Sequence, residues 1–416
     1  QDKAQQLTIS VTDGGYTSAV ENMKTRVETR AVENGYATEF TEGDACGFYM
    51  VRGGKPVYSN VKLTAEKDAA TGGIMWKTDG TTLAAGMDGE SYYLYYPYQA
   101  DMAGKTATPA EGAVMTDAEF FKPLIDGWQP GDDQSTHAAY TASDLMTAGG
   151  STTGTGNTIH LSFAMKHRMA LAVIEMPKTV YKFIDANVPD YTVGAEATFT
   201  GTAKPLRMAD GTYRYLVHSS MPTIEGCYDG GNREFTITTS ASHPVVGEYK
   251  RYKVDGAAET IKNVTYAESG IARIGDFYCT KNNGTTGYLI PKEADETTVQ
   301  AAKVVGIVFQ TDKSRIGAKE KEKLGGEGNV HGLVMAVKNI ATRQAWGLFG
   351  MDEGLTTCRT KADNYNDISG YGNCEHIRTN RGNFDSYPAF KAAYDYNTTC
   401  PVPATTTGWY LPASGQ

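Results

Sequence analysis

The stretch LSFAMKHRMALAVIEM, Leu161 to Met176, holds two apolar runs on either side of Lys166-His167-Arg168. With the two residues before it, the first run reads Ile159-His160-Leu161-Ser162-Phe163-Ala164-Met165, apolar at every second position. A period of two sets Ile159, Leu161, Phe163 and Met165 on one face of a strand. The second run, Met169 to Met176, reads as the next strand, and His167 falls at the bend between them with a structural role.

Strand-like pieces recur outward from this pair. They include Leu7–Val11, Gly47–Val51, Ser91–Tyr96, Tyr213–Val217 and Glu234–Thr238, separated by Gly, Asp and Pro turns. Short strands at such spacing predict β-sandwiches. Composition agrees: 26 Tyr stand against 13 Phe and 4 Trp, beside 46 Gly. Tyr suits half-exposed pleated surfaces and Gly suits turns.

The texture changes near residue 270. Val304–Phe309 and Leu333–Val337 are near-continuous apolar strands, and GAKEKEKLGG (Gly317–Gly326) between them is a solvated loop or short helix. Tyr387–Asn397 sets Phe390 and Tyr394 four apart, as on a one-sided helix, after irregular loops over 350–386. Residues 1–270 carry a net charge of −10 and residues 271–416 a net +1, which supports a boundary there. A chain of 416 residues allows two or three domains. The expected fold is therefore mainly β, with β-sandwich structure up to residue 270 and an α+β module over 271–416.

The net charge of −9 argues against general nucleic-acid binding. No apolar run approaches the ~20 residues of a membrane span. The polar start at Gln1 fits either a cytosolic chain or a mature form that has lost a leader. Seven His are scattered without H-E-x-x-H spacing, and no G-x-S-x-G elbow or P-loop is present. GGEGNVHG (Gly325–Gly332) has a phosphate loop's glycines but no Lys, and reads as a hairpin connection. Cys46 and Cys227 read as buried free thiols. Cys279, Cys358, Cys374 and Cys400 allow three pairings, and disulfides among them fit an oxidising compartment.

Asp132 and Asp133 lie in a turn without EF-hand spacing. Asp363, Asn364, Asn366 and Asp367 form an oxygen-rich cluster in a long loop and make the strongest ligand or metal candidate. Trp346, Trp409 and Tyr410 are candidates to stack on a sugar ring, although aromatics of this kind mostly serve the core. None of this composes a catalytic constellation or a cofactor site. The residues alone give a multi-domain, β-rich, extracellular protein that binds or builds.

Several stretches in fixed order resemble the fimbrillin family of Bacteroidales surface pili. TRAVENGYATEFTEGDACGFYM (Thr29–Met50), YYLYYPY (Tyr92–Tyr98), YTASDLMTA (Tyr140–Ala148) and the opening Leu161–Met176 carry the likeness, over roughly residues 5–180. The resemblance implies two transthyretin-like β-sandwich domains in series, over 1–165 and 166–270, and export through the periplasm as an outer-membrane lipoprotein precursor whose leader is removed. It also implies an Arg-specific cut, which by position falls between Arg30 and Ala31, with Arg26 the weaker site. Loss of Leu7–Val11 then opens a groove that a strand from another pilus subunit fills.

The last 145 or so residues depart from a stalk subunit, which ends in a strand to donate. GDFYC (Gly275–Cys279), HGLVMAVKNIATRQAWG (His331–Gly347) and TTGWYLPASGQ (Thr406–Gln416) resemble a module distantly similar to C-type lectins, without the E-P-N or Q-P-D signature of calcium-dependent sugar binding. Trp409-Tyr410-Leu411 reads as a buried strand, and the turn after it is expected to lead into further residues. These expectations describe a fimbrial tip subunit on the cell surface, an adhesin whose partners are other subunits and an unidentified host or microbial glycan or protein. A stalk or anchor pilin, and a free-standing surface glycan-binding lipoprotein, are the alternatives.

Overall fold

A computed structural model of the chain describes residues 6–18, 36–155, 157–185, 187–218, 220, 222–238 and 245–416. The protein is mainly β. It forms two compact units, residues 1–178 with 193–259 and residues 179–192 with 260–416.

In the first unit, one seven-stranded sheet runs in the order Gln6–Asp13, Thr158–His167, Met146–Thr155, Glu90–Tyr96, Ala45–Arg52, Lys55–Lys67, Ile74–Thr78. Every pairing is antiparallel except the first, where Gln6–Asp13 runs parallel to Thr158–His167. The two edge strands also contact each other, so the sheet curls around a core that holds Phe48, Leu94, Leu161 and Phe163.

The sheet's other face is covered too. Tyr49, Tyr93 and Tyr95 turn that way and meet Phe120, which ends the short helix Asp117–Phe120, and Phe121, which joins it to the helix Lys122–Gly127. Burial of both faces explains the unbroken apolar run of YYLYYPY.

The second half of the opening stretch is the strand Ala170–Glu175, at the centre of a five-stranded sheet between Tyr213–Val217 and Glu248–Lys253. Leu171 and Val173 join the cluster around Tyr93, while Ala172 and Ile174 face Ile224 and Tyr228 of a small three-stranded sheet. It too is apolar on both sides for want of a wet face.

The second unit contains a four-stranded antiparallel sheet, Thr286–Ile290, Phe277–Lys281, Val304–Gln310, Leu333–Ala336. GAKEKEKLGG supplies the helix Ala318–Lys323. Helix Pro388–Thr399 buries Phe390, Ala393 and Tyr396, whereas Tyr394 is 45% exposed, so its inward face follows i, i+3, i+6 rather than the expected i, i+4.

Four sequence expectations need correction. The region 350–386 is not wholly irregular: it contains helices Lys361–Asn366 and Gly370–Asn380. Gly370, Gly372 and Asn373 are poor helix formers, so propensity hides the second helix. Packing supplies what propensity lacks, since its Cys374 and Ile377 are buried against Phe384, Tyr387 and Phe390. Cys227 is only half-buried, and all six thiols are unpaired.

Lastly, Trp409–Leu411 is not a strand. It is half-buried irregular chain whose backbone is satisfied by side chains. Asn397 accepts from Trp409 N–H at 2.7 Å and donates to its carbonyl at 2.9 Å. Trp409 Nε1 donates to the Cys400 carbonyl at 2.8 Å, and the Arg315 guanidinium spans the Tyr365 and Gly415 carbonyls. Gly415 lies so close to the chain that a Cβ there would meet the Tyr365 carbonyl oxygen at 2.3 Å. The turn after Tyr410 therefore docks onto the helices beneath it.

Candidate functional site

The first strand lies at one edge of the seven-stranded sheet. Gln6–Asp13 pairs on one side only, over eight parallel positions from Gln6↔Thr158 to Asp13↔Met165. Its inward side chains Leu7, Ile9 and Val11 pack against the curled-sheet core. Outward, the Thr8 and Ser10 hydroxyls bond to the two ring nitrogens of His160 at 2.8 and 3.1 Å. Alternation would place another apolar residue inward at position 13. The chain has Asp13 instead.

Asp13 ends the strand in a buried polar network. Its Oδ2 lies 2.9 Å from His167 Nε2 and accepts from the Thr38 amide at 2.6 Å, while Oδ1 accepts from the Gly15 amide at 2.9 Å. On the ring's far side His167 Nδ1 lies 2.9 Å from Asp144 Oδ1, which also accepts from the Tyr16 hydroxyl at 2.7 Å. The Tyr16 ring stacks on His167 with centroids 3.8 Å apart. The side chains of His167 and Asp13 are 1% and 0% exposed.

Burial alone would lower the His167 pKa, but the two flanking carboxylates outweigh it and raise it to about 9. Burial would likewise raise Asp13. The hydrogen bond and charge of His167, with the Thr38 and Gly15 amides, instead hold it below the usual carboxylate range. At neutral pH the network is an imidazolium between two carboxylates. Arg26, Arg30 and Ala31, the expected processing positions, lie outside the described residues.

In the second unit, Trp346 and Asp367 line one open cleft of about 690 Å³ together with Met351, Leu355 and Leu411. Trp346 is 50% exposed and meets Phe390 edge-on at 5.3 Å. Trp409 lines a different, more apolar cavity of about 660 Å³, beside Tyr278, Phe309 and Leu333.

Asp363 and Asn366 are exposed and line neither. The Asp363 carboxylate is engaged at a helix start, accepting from the Arg359 and Thr360 amides at 3.0 and 2.9 Å, and these amides hold its pKa down. Asp367 accepts from Ser369 N–H at 3.1 Å. Among the described residues no three His, Cys, Asp or Glu side chains are grouped to hold a metal ion, and no helix is long and apolar enough to cross a membrane.

Sequence reasoning placed His167 at its bend but missed Asp13, Thr38 and Asp144, which come from three separate places in the chain. The one local signal was an acid at an inward strand position.

Comparison with known proteins identifies a family that spans most of the chain. A model of the fimbrillin-like family matches residues 29–319, beginning after the first strand. The chain is 27% identical to a Bacteroides ovatus protein that carries the provisional name fimbrium tip subunit Fim1C, with 99% of this chain and 79% of that protein aligned. The crystal structure of a fimbrial protein from Bacteroides ovatus matches with a TM-score of 0.52 at 25% identity, covering 99% of this chain and 85% of that one. The chain belongs to the fimbrillin-like family.

Proposed function

We propose that the protein is a cell-surface fimbrial subunit at the tip of the pilus, acting in adhesion, and joined to the next subunit by strand exchange after a cut between Arg30 and Ala31. The observation that carries this reading is the first strand. It is an edge strand, parallel, paired along one side, and its removal breaks no other pairing of the seven-stranded sheet. Removal would bare the edge of Thr158–His167 and the core side chains beneath Leu7, Ile9 and Val11. An open edge above an apolar floor is what strand addition uses: backbone bonds give affinity and alternate side chains fill pockets.

The tip assignment draws on the relative named as a tip subunit, which aligns across nearly the whole chain. In this reading the first unit's sheets are transthyretin-like domains dividing near 165 and 270. Residues 271–416 are the lectin-like adhesive module, with the Trp346–Asp367 cleft as its ligand site. The precursor is exported as an outer-membrane lipoprotein.

Limited digestion with an Arg-specific protease, read by intact mass and N-terminal sequencing, tests the core of the proposal. A single cut that leaves Ala31 as the new terminus on an intact body is the expected result. Resistance at Arg30, or cutting at many Arg residues, would overturn strand exchange. Immunogold labelling along pili, instead of at one end, would overturn the tip position.

A further inference from the structure

The polar network at the end of the first strand is divided by the proposed cut in an informative way. Gly15 and Tyr16 leave with the strand. Thr38, Asp144 and His167 stay. The two retained groups that touch Asp13, the His167 Nε2 and the Thr38 amide, converge on one oxygen, Oδ2, at 2.9 and 2.6 Å. Asp144 fixes the ring from its other nitrogen at 2.9 Å, so the donor stays aimed at the groove when the strand is gone. The body thus keeps a socket for a carboxylate at one end of an apolar groove.

We infer that this groove selects its incoming strand by an acidic residue in register with Asp13. The inference rests on the strand-exchange reading above. The occupant is an extended segment of a neighbouring subunit running parallel to Thr158–His167. It carries apolar side chains in the places of Leu7, Ile9 and Val11 and Asp or Glu two residues further on. Hydroxyls in the places of Thr8 and Ser10 would meet His160. The first strand itself shows that one segment can satisfy all of these positions together.

The reason for selection is desolvation. With a strand seated, the side chain of His167 is 1% exposed. An incoming strand with an apolar residue at this place would dry the imidazolium and the Thr38 amide without giving either an acceptor, and a buried donor left unpaired is costly. Other titratable groups around the ring are Asp144 and Tyr16, with Tyr140 and Arg214 coupled to them in turn. None of these replaces Asp13 on Nε2, which the strand's own carboxylate occupies.

The test uses the full chain after Arg-specific cleavage, with a fluorescent peptide of residues 5–16 added as competitor and anisotropy as readout. Three peptides are compared at pH 7: the natural sequence, Asp13→Asn, and one with Leu7, Ile9 and Val11 all changed to Ser. The natural peptide should enter at least tenfold more tightly than Asp13→Asn, and the triple-Ser peptide should not enter. Equal affinity of the natural and Asn peptides overturns the socket while strand exchange stands. Entry by none of them overturns strand exchange itself. A second measurement needs no cleavage: in uncut protein, Asp13→Asn should speed amide exchange of residues 6–13 by tenfold or more while Ala45–Arg52 is unchanged. Unchanged exchange at 6–13 overturns the inference.

Discussion

Raising the pH should loosen the first unit through His167, and the size of the effect follows from its surroundings. The ring sits between Asp13 and Asp144 at 2.9 Å each, and its pKa is about 9 against 6.5 in unfolded chain. A group that holds its proton more tightly when folded stabilises the fold fully below its unfolded pKa, and that stability is lost as pH rises through the folded value. The difference between about 9 and 6.5 corresponds to about 3 kcal/mol. About 3 kcal/mol should be present at pH 6, roughly half of it at pH 8, and almost none at pH 10.

The assay is urea unfolding of wild type and His167→Gln at those three pH values, followed by Trp fluorescence, to which Trp76 and Trp128 of the first unit contribute. Taking the difference between the two proteins cancels the titration of surface lysines and tyrosines. The advantage of wild type should shrink by about 3 kcal/mol from pH 6 to pH 10, most steeply between 7 and 9. A constant difference across that range would refute the charged network. Asp13 has the opposite sign: its lowered pKa gives stability that fades as pH falls below the ordinary carboxylate range, so the network is intact only between the two limits.

Three further substitutions probe the frame around the sites. Gln134 is fully buried and pairs with both the N–H and the carbonyl of Leu216 at 2.8 Å. Gln134→Ala leaves two buried backbone groups unpaired and should cost about 2–4 kcal/mol in a denaturant titration of the first unit. Gly284 has φ +87° with the Pro401 carbonyl oxygen 2.3 Å from a Cβ position, so Gly284→Ala should destabilise the second unit by about 3 kcal/mol or more, read as a drop in Tm. Asn397→Ala frees both backbone groups of Trp409, and chymotrypsin should then cut after Trp409 or Tyr410 at least tenfold faster than in wild type.

How much of this was legible in the sequence depended on whether the cause was local. Period-two alternation marked Ile159–Met165, and the strand there runs Thr158–His167. Tyr213–Val217 was read at its observed bounds. Both signals come from neighbours in the chain. Helix Gly370–Asn380 was hidden because its residues are poor helix formers and its support is Phe384, Tyr387 and Phe390, which follow it in the chain. Trp409–Leu411 looked like a strand because its three residues are apolar in a row, but side-chain bonds from Asn397 stand in for the partner that a strand would have.

The same distinction explains why the polar network was invisible while the strand it anchors was not. Leu7, Ile9 and Val11 announce a strand by spacing alone. The meaning of Asp13 depends on Thr38, Asp144 and His167, which only the parallel pairing of residues 6–13 with 158–167 and the curl of the sheet bring together. An acid where alternation calls for an apolar residue is a local sign of a buried partner, since a carboxylate is seldom buried unpaired. The partner's identity is not local. It is set by which strand lies alongside and which loop closes over the end. If that first strand gives way to one from another subunit, the incoming segment inherits both demands: the spacing that fills the apolar floor, and the acid that answers His167.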